Sequence, residues 1–255
     1  MFEIFVIVTA GLLAGIVNSI AGGGSLISFP ALLWLGRDPI MANATNTVAV
    51  WPGSLAGVFG FRRELKTVRG WLLLLILPSI AGSLAGAVLL LRTPVALFEK
   101  LVPILIFGAT VLLAGQELIT RRLGGVARAH EHPTAGWVTF VFLFQFMVSI
   151  YGGYFGAGMG ILMLAALGLI GMTDMHQMNG LKNLLAIFIN GVAAVYFAIS
   201  GAVNWRDALI MAAGAITGGY IGARLARRMG RTFVRGAVVV IGLVMTVALV
   251  VRAYS

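Results

Sequence analysis

Residues Asn18 to Thr47 read NSIAGGGSLISFPALLWLGRDPIMANATNT. Three consecutive glycines, a proline, hydroxyls and amides stand there inside an otherwise apolar chain. Gly22, Gly23 and Gly24 break a helix that runs into them, and Ser25 stands where a following helix needs its N-cap. The stretch therefore predicts a helix, an unwound glycine turn and a short second helix. A broken helix leaves N–H groups unpaired at the start of its second part. Those donors and the positive end of the helix dipole favour an anion, and Asn18 and Ser25 add side-chain donors.

A second glycine cluster, Gly156-Ala157-Gly158-Met159-Gly160, offers the same device, flanked by Tyr151 and Tyr154. Lys182 lies at or just inside the apolar run NGLKNLLAIFIN. A charge at that depth costs at least ~2.5–3.5 kcal/mol, so it faces a cavity or snorkels to the interface. Asn46 and Asn183 hold matching positions, with Thr45 and Thr47 beside the first. Such amides line a site or tie helices together. Asn190 shares the helical face of Asn183, and Gln145 is a weaker candidate of the same kind. Small residues also let helices approach closely. That packing role is read for Gly82, Gly86, Gly218 and Gly222. The site role is read for the two clusters, because packing does not require three glycines in a row.

The elements that must position these residues are membrane helices. The 255 residues are 60% hydrophobic and only 10% charged, with a mean hydropathy of +1.02, where a soluble domain carries about 25% charge. Apolar segments fall near 4–21, 26–36, 43–61, 70–91, 97–118, 136–152, 158–171, 183–200, 207–226 and 236–252. Helices of ~20 residues fit them better than the alternating strands of a barrel. Segments 26–36 and 158–171 are too short to span ~30 Å alone, so they are half-helices of re-entrant hairpins or tilted, broken spans. The expected fold is all-α and polytopic, with eight to ten membrane or half-membrane helices in two inverted repeats. The tryptophans mostly fall near segment ends, as interfacial anchors do.

Basic residues cluster in three loops: Arg62 to Arg69, Arg121 to Arg128 and Arg224 to Arg235. Placing these in the cytoplasm puts both termini outside. The net charge of +10 thus belongs to loops facing anionic lipid and not to a nucleic-acid surface. The N-terminus lacks a basic leader, so it reads as a retained helix. The polar run Gly124–Pro133 separates two similar halves. Asn18…Gly22-Gly23-Gly24 matches Gly152…Gly156-Ala157-Gly158, Thr45-Asn46 matches Lys182-Asn183, and Gly82-xxx-Gly86 matches Gly218-xxx-Gly222. The organisation is a first transmembrane repeat over 1–123, a cytoplasmic linker over 124–135 and a second repeat over 136–255. Inverted repeats place a substrate site at their interface near mid-membrane.

Other chemistry is poorly supported. The chain has no cysteine, so it has neither disulfides nor thiolate ligands. His130-Glu131-His132 has no third ligand at metal-site spacing, and His176 reads as part of an interfacial turn with Asp174. No phosphate-binding loop of the ATPase type occurs. A dyad of Ser25 and His176 has no supporting spacing, so no catalytic residue, metal or cofactor is expected.

The runs GIVNSIAGGGSLISFPALLWLG and ANATNTVAV, then YFGAGMGILMLAALGLIG and LKNLLAIFINGVAAVYFAISGAVNW, resemble the TauE/SafE family of sulfite-exporter-like membrane transporters over nearly the whole chain. The resemblance implies a permease of the bacterial cytoplasmic membrane for sulfite, sulfoacetate or another organosulfonate. It maps the family's glycine motifs onto Gly22–Gly24 and Gly156–Gly158, and its second-repeat lysine onto Lys182. The first half departs by carrying Thr45 where the second has Lys182. The expected partners are a small sulfur-containing anion, membrane lipids and, optionally, a second copy as a homodimer. The alternative function is a channel-like pore for anions or small solutes. The expected binding set is Asn18, Gly22, Gly23, Gly24, Ser25, Thr45, Asn46, Tyr151, Gly156, Ala157, Gly158, Met159, Lys182 and Asn183.

Overall fold

The computed structural model describes residues 1–20, 23–59, 69–129, 135–169, 172, 174–225 and 231–254. Gly22, most of the first basic loop and the histidine pair lie outside the described residues, as do Arg227 and Arg228. The side chain of His176 is likewise not described. Among the described residues there are ten helices and no strand. They are α1 (Phe2–Ile20), α2 (Ser25–Trp34), α3 (Pro39–Phe59), α4 (Arg69–Arg92), α5 (Val95–Ala129), α6 (Ala135–Tyr154), α7 (Met159–Leu169), α8 (Met175–Ile199), α9 (Trp205–Leu225) and α10 (Arg231–Tyr254). Six of them, α1, α4, α5, α6, α8 and α10, are long and apolar enough to cross a membrane. The protein is an all-α, polytopic membrane protein.

Capping residues set several boundaries. Asp38 Oδ1 accepts the N–H groups of Ile40 and Met41, both at 3.0 Å, with Pro39 at the first helical position, where its missing donor is harmless. Asp174 accepts from Gln177 N–H at 3.3 Å, and Asn204 accepts from Asp207 N–H at 3.2 Å. Helices α3 and α8 therefore begin at Pro39 and Met175, earlier than the apolar segments at 43 and 183 suggested. At the other extreme, α5 continues through Gly124 and Gly125 to Ala129, so the first part of the expected linker is helical. A glycine in a helix costs only ~1 kcal/mol, and proline is not reached until Pro133.

The two short helices re-enter. Trp34 at the end of α2 meets Phe2 at the start of α1, ring centroids 5.8 Å apart. A Cβ on Gly24 would strike the carbonyl of Ala14. Ala14 lies ~18 Å along α1 from Phe2 at 1.5 Å per residue. The chain thus doubles back beside α1, and the glycine turn sits far from the end at which Phe2 and Trp34 meet. In the second half the same closure is made by Trp137 near the start of α6, whose Nε1 donates to the carbonyl of Leu169 at 2.6 Å.

The halves exchange partners. Helix α1 packs along α9, and α4 packs along α6; α5 meets α10 and α3 meets α8. The seams are made of small residues. A Cβ on Gly11 or Gly15 would strike the carbonyls of Met211 or Ala215, and one on Gly218 that of Leu12. On the other seam, Gly82 and Gly86 face the carbonyls of Phe146 and Ile150. Gly82, Gly86 and Gly218, with Gly222 against Ile16, are the packing glycines expected from sequence, and Gly11 and Gly15 join them. With no hydrophobic drive between helices in lipid, such close approach is what holds them together.

Gly86→Leu should therefore open the α4–α6 seam and destabilise by at least ~1–3 kcal/mol. Gly108→Ala, where an added Cβ meets nothing within 4 Å, should be neutral or stabilising by up to ~1 kcal/mol. Thermal unfolding in detergent measures both.

Candidate functional site

The two glycine turns meet the same helix. A Cβ on Gly158 would lie 3.3 Å from Ala109, and one on Gly23 would lie 3.3 Å from Leu113 Cδ2. Ala109 and Leu113 are one turn apart on α5, ~6 Å by helix rise. Between the halves, Phe29 of α2 packs edge-on against Phe155 beside the second turn at 5.5 Å. Gly23, Gly156 and Gly158 have φ of 88°, 77° and 76°, a left-handed backbone that only glycine adopts without strain.

The first turn is capped from α1. Asn18 Oδ1 accepts the Gly24 N–H at 2.8 Å, reaching back from α1 to cap α2. Ser25 is the first helical residue of α2, and Gly24 holds the cap position with no side-chain hydrogen bond of its own. The expected Ser25 cap is thus replaced by Asn18, because the hairpin lays α1 against the turn. Ser28 Oγ donates to Asn46 Oδ1 at 2.5 Å, Thr45 Oγ1 accepts from Asn204 N–H at 3.0 Å, and Asn43 Nδ2 donates to the Tyr154 carbonyl at 2.9 Å. Ser28, Asn43, Thr45 and Asn46 are all buried. Asn46 ties α2 to α3 in this conformation.

The second turn is differently built. Tyr151 Oη donates to the Ala157 carbonyl at 2.6 Å, bracing the turn, and Met159 is buried beside Gly152. Phe155 and Gly156 N–H both reach the Tyr151 carbonyl, Met159 N–H reaches Gly156, and Ile161 N–H reaches Gly158. The N–H groups of Ala157, Gly158 and Gly160 take no backbone partner among the described residues. Donors of this kind, at a helix N-terminus, make a nest of the type suited to anions.

Lys182 lies against this nest. A Cβ on Gly160 would sit 3.4 Å from Lys182 Cδ, so the glycine makes room for the lysine stem. The residue is in the apolar span Gln177–Ile199, ~10 Å along α8 from Met175. Its ammonium donates to Asn179 Oδ1 at 3.1 Å. The side chain of Asn190 approaches the turn, with Oδ1 3.9 Å from a Cβ on Gly156. Asn183 and Asn190 are both partly exposed, and neither side chain has a hydrogen-bond partner among the described residues. An amide at membrane depth without a protein partner needs water or a ligand.

Other expected residues have structural places. Gln145 Nε2 donates to Ser79 Oγ at 3.0 Å and joins α4 to α6. Trp51 is no interfacial anchor. It lies within α3, donates to the Ile187 carbonyl at 3.1 Å and stacks on Gly191. Asn43, Asn179 and Asn204 were not singled out from sequence. For Asn204 the available signal was its capping position before α9.

Re-entrant hairpins, half-membrane helices and a polar nest at the meeting of two halves define a polytopic membrane transporter. Residues 7–249 match the family model of the sulfite exporter TauE/SafE family, and the chain belongs to that family. It is 30% identical over 243 residues to a probable membrane transporter protein of Haemophilus influenzae, covering 94% of this chain and 91% of that protein. It is 28% identical over 249 residues to the probable membrane transporter protein YfcA of Escherichia coli K12, covering 96% and 88%. The probable membrane transporter protein YunE of Bacillus subtilis is 28% identical over 243 residues, covering 88% and 89%. No solved structure matches the chain.

Asn18→Ala should remove the Gly24 cap and cost ~0.5–2 kcal/mol. Asn46→Ala and Ser28→Ala should each destabilise, and their double-mutant cycle should give a coupling of at least ~0.5 kcal/mol. Denaturant titration of the purified protein measures all three.

Proposed function

We propose that this transporter is a secondary permease working by alternating access, and that its cargo is a small sulfur-containing anion such as sulfite, sulfoacetate or another organosulfonate. The supporting observation is the polar face of the second half. An ammonium, two unpartnered amides and a glycine nest lie together along an otherwise apolar span. Ala157, Gly158 and Gly160 supply backbone donors and Gly156 the turn that aims them, with Lys182 the counter-charge and Asn183 and Asn190 the orientation. Met159 and Tyr151 shape the turn. The first-half residues Asn18, Gly23, Gly24, Ser25, Thr45 and Asn46 complete the site when their internal bonds are exchanged for the guest; Gly22 belongs to the same set by sequence.

The two repeats, 1–123 and 136–255 joined by 124–135, are inverted in this reading. Their basic loops lie in the cytoplasm and both termini outside a bacterial inner membrane. An anion leaving a cell that is negative inside gains ~2.3 kcal/mol per charge per 100 mV. Export then needs neither ATP nor a coupled ion. The exchanged pairing of α1 with α9 and α4 with α6 supports a rocking motion of one body against another.

Purified protein in liposomes tests the proposal. Sulfite or sulfoacetate flux should saturate and show counterflow, which separates a transporter from a pore. Lys182→Met should lower the flux about 10- to 100-fold, the scale of one charge-assisted hydrogen bond of ~1.5–3 kcal/mol. Unchanged flux in a folded Lys182→Met variant would remove Lys182 from the site.

A further inference from the structure

The end of the molecule that carries both termini is closed by charge. Arg37, in the loop after α2, donates through Nε to Asp207 Oδ2 at 2.6 Å and through Nη2 to Glu3 Oε2 at 2.9 Å. Asp207 stands in the first turn of α9, yet its side chain is only 2% exposed. Helix α2 belongs to the first half and α9 to the second. With Glu3 on α1 and Asp207 on α9, Arg37 therefore pins the end of α2 to the seam between those two helices. The two carboxylates hold the Arg37 guanidinium above its ordinary pKa, chiefly through the bond to Asp207.

A polar chain runs inward from this clamp. Asn204 accepts the Asp207 N–H and gives its own N–H to Thr45. Next to Thr45, Asn46 accepts from Ser28, which also donates to the Gly24 carbonyl at 3.3 Å. Asn43 on Tyr154 and Phe29 on Phe155 close the same end. No link in this chain is more than 2% exposed at Ser28, Asn43, Thr45 or Asn46. The corresponding polar residues of the second half, Lys182 and Asn183, are partly exposed. The polar side chains of the first half are buried and paired, and those of the second half have solvent access.

We propose that the Arg37–Asp207 pair is the latch of a gate at the terminus-bearing end. Its closure shuts that end in the conformation described here, and its release lets the end open while the Lys182 side closes. Bidentate use of one guanidinium by two carboxylates makes the latch directional: only an arginine placed between α1 and α9 satisfies both. The inference rests on the alternating-access reading but not on the identity of the anion.

The chain has no native cysteine, so single introduced cysteines report access cleanly. Thr45→Cys lies behind the latch, and Asn183→Cys lies on the other path. In sealed vesicles of defined orientation, a membrane-impermeant maleimide should label Thr45→Cys slowly from the terminus-bearing side. Adding Arg37→Gln should raise that rate at least tenfold and lower the labelling of Asn183→Cys from the opposite side. Asp207→Asn should raise the Thr45→Cys rate in the same way, and the two substitutions together should raise it no further than either alone. An unchanged Thr45→Cys rate, a rise at both positions as in simple unfolding, or effects of Arg37→Gln and Asp207→Asn that simply multiply would overturn the latch. If Asn183→Cys labels from neither side in the parent, the alternating-access reading itself fails, and the latch with it.

Discussion

A backbone N–H that no carbonyl reaches is expensive in hydrocarbon, and a helix interrupted at membrane depth creates several at once. The rest of this molecule is arranged around how two such interruptions are satisfied. In the first turn Asn18 caps Gly24, and Ser28, Asn43, Thr45 and Asn46 beside it are paired with protein groups, while the Gly23 and Ser25 N–H groups take no backbone partner among the described residues. In the second turn Tyr151 takes up a carbonyl, while the donors at Ala157, Gly158 and Gly160 keep no backbone partner among the described residues. Lys182 stands beside those donors and not beside the first set. The positive end of α7 and an ammonium thus lie on the same side of the turn, an arrangement that favours negative charge.

Holding two turns in register requires stiff supports, and the small-residue seams supply them. Along α1–α9 and α4–α6 a single added methyl would strike a carbonyl of the facing helix. Backbones that close slide poorly past one another. Each hairpin is then borne by a body drawn from both halves, because α1 carries the first turn but packs on α9, and α6 carries the second but packs on α4. At the terminus-bearing mouth the contact between the halves is polar, where Arg37 meets Asp207. That combination, firm seams and an exchangeable polar closure, is suited to movement between discrete arrangements.

Much of this was legible in the residues. Long apolar runs announced the spanning helices, and glycine clusters announced the breaks, because both follow from local backbone chemistry. Helix starts were read too late where apolar content was followed in place of caps: Asp38-Pro39 and Asp174 fix α3 and α8 well before their greasy runs begin. Ser25 was given a capping role that Asn18 performs, since only the return of the chain along α1 brings Asn18 to the turn. The partners of Lys182 and Arg37 were not readable. Asn179 is a neutral amide whose pairing with the lysine depends on its rotamer, and Asp207 lies 170 positions from Arg37, joined to it by topology alone. Trp51 looked like an anchor by type but is held inside by the Ile187 carbonyl.

The most direct test of the account is to locate a heavy-atom anion in the protein. Selenite, which shares the shape and charge of sulfite, should be bound by the reconstituted or detergent-solubilised protein and imaged by its anomalous scattering. The account predicts a peak within ~3.5 Å of the Gly158 or Gly160 nitrogen and the Lys182 ammonium, lost in Lys182→Met. A peak elsewhere, or a turn packed by apolar side chains with the ammonium directed into bulk water, would contradict it.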